Sequence, residues 1–80
     1  MNIGDQLKKF RMDVKLSQAQ VGAALGFTSS QAVSNWELDK AFIPMGRAAK
    51  LSKLYKIKPA VLLSLGLARY EAIFRKKMNG

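Results

Sequence analysis

The chain has 80 residues, of which 49% are hydrophobic, 14 are lysine or arginine and 5 are aspartate or glutamate, giving a net charge of +9. This length is enough for one small domain, and no stretch approaches the roughly 20 consecutive apolar residues that a membrane span needs. Because cysteine and histidine are absent, disulfides, thiol catalysis and the usual zinc sites are excluded, and we expect no enzyme activity, metal or cofactor.

The spacing of apolar residues predicts an all-α protein, a compact bundle of five to six short helices. The first helix is predicted over Ile3–Val14. Ser17 is a favourable N-cap for a second helix, Gln18–Leu25, and Gly26 follows where a left-handed residue commonly ends a helix. Gly22 leaves room for the second and third helices to cross closely.

The third helix is predicted over about Ser30–Leu38, with Thr28 or Ser29 as its cap. Val33 and Trp36 would anchor it in the core. Its outward face then consists of small polar residues and one leucine, namely Ser30, Gln31, Ser34, Asn35 and Leu38. Serine and asparagine are unfavourable inside a helix, but Ser, Gln and Asn can all pair with base edges in the major groove. The face fits either base recognition or an ordinary wet surface.

Two prolines and a glycine divide the rest of the chain. Pro44 suits the first turn of a fourth helix ending near Tyr55, and Pro59 starts a fifth that ends near Leu65. After Gly66, the segment 67–80 predicts an amphipathic sixth helix. That helix caps the core, completes a dimer interface or binds something else; a helix on a membrane surface is disfavoured because its apolar stripe is short.

The charge is distributed unevenly along the chain. Residues 1–40 carry five basic and four acidic side chains, a net of +1, whereas residues 41–80 carry nine basic and one acidic, a net of +8. Such a surface attracts polyanions, nucleic acids above all. The alternative is that the lysines only keep a small domain soluble.

Several spaced motifs resemble the repressor/Cro-type, or Xre-like, helix-turn-helix family over about residues 3–65. They are LSQ at 16–18, Gly26, VSNWE at 33–37, IP at 43–44 and AAKLSKLYKI at 48–57. The resemblance implies a lambda-repressor-like fold, with residues 1–66 as the DNA-binding domain and 67–80 as a helix on the core or dimer interface.

The same resemblance implies a sequence-specific regulator of transcription from a phage or bacterium. It would bind double-stranded DNA at a palindromic operator as a homodimer, without a small-molecule ligand, and act as a repressor in the cytoplasm. The N-terminal sequence MNIGDQLKKF lacks a signal-peptide core, which also favours the cytoplasm. The alternative from another class is an antitoxin-like module that neutralises a partner protein and regulates its own gene.

Roles for individual residues follow from the resemblance. The implied base contacts are Ser30, Gln31, Ser34 and Asn35. The implied phosphate contacts are Gln18, Thr28, Ser29, Lys40 and Arg47. Arg11 and Glu37 are implied to form a buried, structural ion pair between the first and third helices.

The sequence departs from the family spacing twice. One additional residue lies between Gly26 and Val33, which lengthens the turn or starts the third helix earlier. The first contacting residue of that helix is accordingly Ser29 or Ser30. A second additional residue precedes Pro44, in the loop that contains Lys40.

Overall fold

The computed structural model describes residues 2–66, so the predicted sixth helix lies outside the described residues. Four helices have the bounds α1 Ile3–Asp13, α2 Gln18–Ala24, α3 Gln31–Glu37 and α4 Met45–Tyr55. A fifth, α5, begins at residue 59 and is helical to residue 66, the last one described. This part of the chain contains no strand, which confirms the predicted all-α class. None of its helices is long and apolar enough to cross a bilayer.

The first two helices start at side-chain caps. Asn2 Oδ1 accepts a hydrogen bond from the Asp5 N–H at 2.8 Å. Ser17 Oγ accepts from the Gln20 N–H at 3.0 Å, and Gln20 Oε1 accepts from the Ser17 N–H at 2.8 Å. This reciprocal pair is a capping box, which satisfies two otherwise free donors and confirms the cap predicted at Ser17.

The next two helices start differently from the prediction. The N-cap of α3 is Ser30, not Thr28 or Ser29, and its side chain makes no capping hydrogen bond. Its backbone is already close to helical, so it does not have the extended geometry that aims a capping side chain at the first turn. Ser29 Oγ accepts instead from the Gln31 N–H at 3.3 Å. Pro44 is extended and immediately precedes the first turn of α4 rather than lying in it.

Each of the first four helices is followed, within two positions of its last residue, by a residue with positive φ. These residues are Lys15, Gly26, Asp39 and Lys56. After α2, the N–H groups of Gly26 and Phe27 donate to the carbonyls of Ala23 and Gly22, at 3.1 and 2.9 Å. This pairing satisfies carbonyls that a helix end otherwise leaves free. The left-handed conformation predicted for Gly26 is confirmed.

The core receives side chains from all five helices. Its buried hydrophobic members are Leu7, Val21, Leu25, Val33, Trp36, Leu51, Tyr55 and Leu62. The predicted anchors of α3, Val33 and Trp36, are among them, while Ile3 and Phe10 of α1 are half-buried at its edge. The α3 members of the core, Val33 and Trp36, lie on one side of the helix, so α3 is anchored to the core by that side.

Two glycines allow the backbone to approach α3 closely. A Cβ at Gly4 would overlap the carbonyl oxygen of Glu37, and the Gly4 N–H donates to Asp39 Oδ1 at 2.9 Å. A Cβ at Gly22 would lie 2.8 Å from the carbonyl oxygen of Ser29. Gly22 thus leaves room for the last residue of the turn and for Ser30, the N-cap of α3, to lie close to α2. Both ends of α3 are fixed by these contacts.

Candidate nucleic-acid interface

Helix α3 has a buried side and a polar side. Val33, Trp36 and Glu37 are buried. Gln31 is exposed, and Ser34 and Asn35 are half-buried. Because residues three or four apart share one face of a helix, the polar residues and the 58% exposed Leu38 line the side opposite the core. Ser30 precedes the helix and is half-buried.

Two amides on the polar side of α3 are hydrogen-bonded to each other. Gln31 Nε2 donates to Asn35 Oδ1 at 2.9 Å, across one helical turn. The bond uses one N–H of Gln31 and leaves its carbonyl oxygen and second N–H, as well as the amide N–H groups of Asn35, for other partners. The pair therefore presents donors and acceptors side by side on an exposed surface.

Arg11 and Glu37 form a salt bridge between α1 and the last residue of α3. Arg11 Nε lies 2.7 Å from Glu37 Oε2, with side-chain exposures of 11% and 4%. Arg11 also donates through Nη2 to Glu37 Oε1 at 3.1 Å and through Nη1 to the Leu16 carbonyl at 2.9 Å. The hydrogen bond to Glu37 raises the pKa of Arg11 above its usual value, against the opposing effect of burial.

The same carboxylate accepts a hydrogen bond from α2. Gln18, the first residue of that helix, donates from Nε2 to Glu37 Oε1 at 3.1 Å. Glu37 thus joins α1, α2 and α3 at one buried point. The pKa of the nearby Tyr55 hydroxyl is raised, mainly by burial and secondarily by the negative charge of Glu37.

The turn between α2 and α3 contains the additional residue noted in the sequence. Since α3 begins at Gln31, the extra residue lengthens this turn and does not extend the helix. Thr28 and Ser29 are exposed there. At the other end of α3, Lys40 is exposed, and its backbone N–H donates to the Asn35 carbonyl at 2.9 Å. The backbone of Lys40 is therefore fixed relative to the polar face.

Arg47 contacts a residue to which sequence reasoning assigned no role. Its guanidinium carbon lies 4.9 Å from the centre of the Phe27 ring. Phe27 in turn meets Trp36 edge to face, with ring centres 5.9 Å apart and planes at 70°. An aromatic residue directly after the turn glycine, in an otherwise polar turn, was the sequence signal that could have found it.

The segment that follows α3 is basic throughout the described residues. Residues 41–66 contain five basic side chains and no acidic one. All five are exposed, namely Arg47, Lys50, Lys53, Lys56 and Lys58. Residues 41–66 therefore contribute no carboxylate that would repel an approaching polyanion.

Two helices joined by a turn, with the second anchored on one side and polar on the other, define a helix-turn-helix protein. Comparison with known families matches residues 7–62 to the helix-turn-helix family. The chain belongs to that family, in its Xre/lambda-repressor-like form, as the sequence motifs predicted. It is a DNA-binding regulator of the helix-turn-helix type. Comparisons with curated proteins and with solved structures gave no match.

Proposed function

We propose that this protein is a transcriptional repressor that binds a palindromic operator as a homodimer. The observation that carries the proposal is the hydrogen-bonded amide pair of Gln31 and Asn35 on the exposed side of α3. Helix-turn-helix proteins of this kind place their second helix in the major groove, and dimers bind two half-sites about one helical turn apart. Occupancy of the operator would exclude polymerase.

Base recognition is assigned to the polar face of α3. An amide can accept from the N6 amino group of adenine and donate to N7 at the same time, and a serine hydroxyl can serve as donor or acceptor. Gln31 retains both a free carbonyl oxygen and a free N–H when bonded to Asn35. We therefore assign adenine recognition to this pair and supplementary contacts to Ser30 and Ser34.

Phosphate contacts are assigned to side chains around α3. Such contacts fix the register of the protein on the duplex but do not read its sequence. The assigned residues are Gln18, Thr28, Ser29, Lys40 and Arg47. Thr28, Ser29, Lys40 and Arg47 are exposed. Gln18 lies at the start of α2, and its amide keeps one N–H beside the bond that it donates to Glu37.

Selection of binders from a random pool of duplex DNA, at physiological salt, tests the proposal. We expect enrichment of a palindrome whose half-sites are about one helical turn apart. Salt-sensitive binding without an enriched sequence would contradict it, and enrichment of a single half-site would contradict the dimer. Sedimentation of the protein with the enriched duplex then gives the number of chains bound.

Replacing Lys40 with alanine should weaken binding to all DNA alike. Loss of one phosphate contact reduces the slope of log affinity against log salt by about one. The measurement is a titration of the selected duplex and of a scrambled one at several salt concentrations. Lys9→Ala, which removes an exposed lysine from α1, is the matched control. A loss confined to the selected duplex would contradict a phosphate role.

A further inference from the structure

Three side chains, one each from α3, from the turn before it and from α4, stack on one another in a column. Trp36 is 3% exposed and belongs to α3. Phe27, in the turn, lies edge to face against it. The guanidinium of Arg47, in the first turn of α4, lies over the ring of Phe27. The column therefore runs from the core, through the turn, to the surface.

The contact with Phe27 leaves Arg47 able to bind an anion. A ring face attracts a cation within about 6 Å through its quadrupole. Unlike a carboxylate, the ring does not accept a directed hydrogen bond from the guanidinium, so the N–H donors stay available. Arg47 takes no part in the salt bridge found within residues 2–66, which joins Arg11 to Glu37. The five donors of a guanidinium form a planar fork that matches a phosphate.

The column also links Arg47 to the polar face of α3. Trp36 is on the buried side of the same helix whose opposite side carries Gln31 and Asn35. Because Arg47 packs on Phe27 and Phe27 packs on Trp36, these contacts fix the position of Arg47 relative to the two amides. An arginine on an exposed helix surface without such a contact would sample many rotamers and lose their entropy on binding.

We propose that Phe27 is a positioning residue for DNA binding: its ring holds the Arg47 guanidinium against the helix-turn-helix unit, where Arg47 binds a backbone phosphate. This sets the phosphate contact in register with the base contacts of α3. The inference rests on the proposed function, since it assigns a role within the same DNA-binding surface.

A double-mutant cycle tests the coupling between the two residues. The variants are Phe27→Leu, Arg47→Ala and the double variant, each titrated at several salt concentrations with the selected duplex and a scrambled one. We expect Phe27→Leu to weaken binding to both duplexes roughly two- to fivefold, the range of an exposed cation–π contact. It should have no further effect in the Arg47→Ala background. Arg47→Ala should reduce the salt slope by about one.

Two control variants accompany the cycle. Phe27→Tyr keeps the aromatic face and should bind like the unaltered protein. Lys50→Ala removes an exposed charge one turn further along α4, and its effect should simply multiply with that of Phe27→Leu. Multiplicative effects of Phe27→Leu and Arg47→Ala, or no effect of Phe27→Leu, would overturn the proposal.

A measurement on the unaltered protein does not depend on whether the leucine variant folds. The ring current of Phe27 should shift the proton resonances of the Arg47 side chain upfield, in the free protein and in the DNA complex. Normal shifts in both states would overturn the proposal. Fluorescence of Trp36, the one tryptophan of the chain, and the melting temperature show whether each variant retains the native core.

The outcomes separate this proposal from the proposed function. If the protein binds duplex DNA without sequence preference, operator recognition fails, yet coupling of Phe27 to Arg47 on scrambled DNA still supports the positioning role. If a selected operator is bound but the two residues are uncoupled, only the positioning role fails. Absence of any duplex binding overturns both.

Discussion

Replacing Glu37 with alanine is expected to lower the free energy of unfolding by about 3–5 kcal/mol, the cost of breaking one side of a buried ion pair. The carboxylate accepts two hydrogen bonds from Arg11 and one from Gln18. Its removal leaves the Arg11 charge, which is 11% exposed, without its carboxylate. Because small domains have a total stability of roughly 5–15 kcal/mol, urea denaturation and the melting temperature should both show a large loss.

Two further variants establish the cause of that loss. Asp13→Ala removes an exposed carboxylate at the end of α1 and should change stability little. The double variant Arg11→Met, Glu37→Leu should recover much of the loss, because a buried ion pair can often be replaced by apolar side chains of similar volume. Equal effects of Glu37→Ala and Asp13→Ala would show that the salt bridge does not stabilise the fold.

Replacing Gln31 or Asn35 with alanine is expected to weaken binding to the preferred operator by about 1–3 kcal/mol, a factor of about 5 to 150. Each change should relax the preference at one base pair. Since the two amides are hydrogen-bonded at 2.9 Å, the loss in the double variant should differ from the sum of the single losses. Repeating the duplex selection with each variant measures the change in preference, and titration measures the affinity.

Gln6→Ala is the matched control for this second prediction. It removes the same side chain from α1, where Gln6 is half-buried, and should leave both affinity and base preference unchanged. If both α3 variants kept the full sequence preference of the unaltered protein, the outward side of α3 would not be the surface that reads bases.

Local signals account for the parts of the fold that could be predicted from the sequence. The N-cap at Ser17 and the left-handed Gly26 depend on neighbouring residues alone, so the residue type at each position is sufficient to set a helix boundary. The burial of Val33 and Trp36 follows from helical spacing in the same way. The start of α3 was predicted less well, because three consecutive residues, Thr28, Ser29 and Ser30, can all act as caps.

Contacts between distant segments follow from no local pattern, and the Arg11–Glu37 salt bridge was expected only from the family resemblance. Asp39 accepts from the N–H of Gly4, 35 positions earlier, and neither residue carries a local pattern that indicates the other. The contact of Arg47 with Phe27 likewise depends on how α4 packs beside the turn. The polar face of α3 was predicted from spacing alone, whereas the hydrogen bond of Gln18 to Glu37 appears only once three helices are packed together.

The positive-φ residues that follow the helices are positions where substitution could increase the stability of this domain. A residue with a Cβ in that conformation costs roughly 1–2 kcal/mol, and glycine occupies only one of the four ends. Glycine at Lys15 or Lys56 would recover part of that cost, while glycine at Asp39 would lose the bond to Gly4. Two substitutions remote from α3 can thus compensate for less stable residues on its polar face, so that face can change its side chains without loss of the fold.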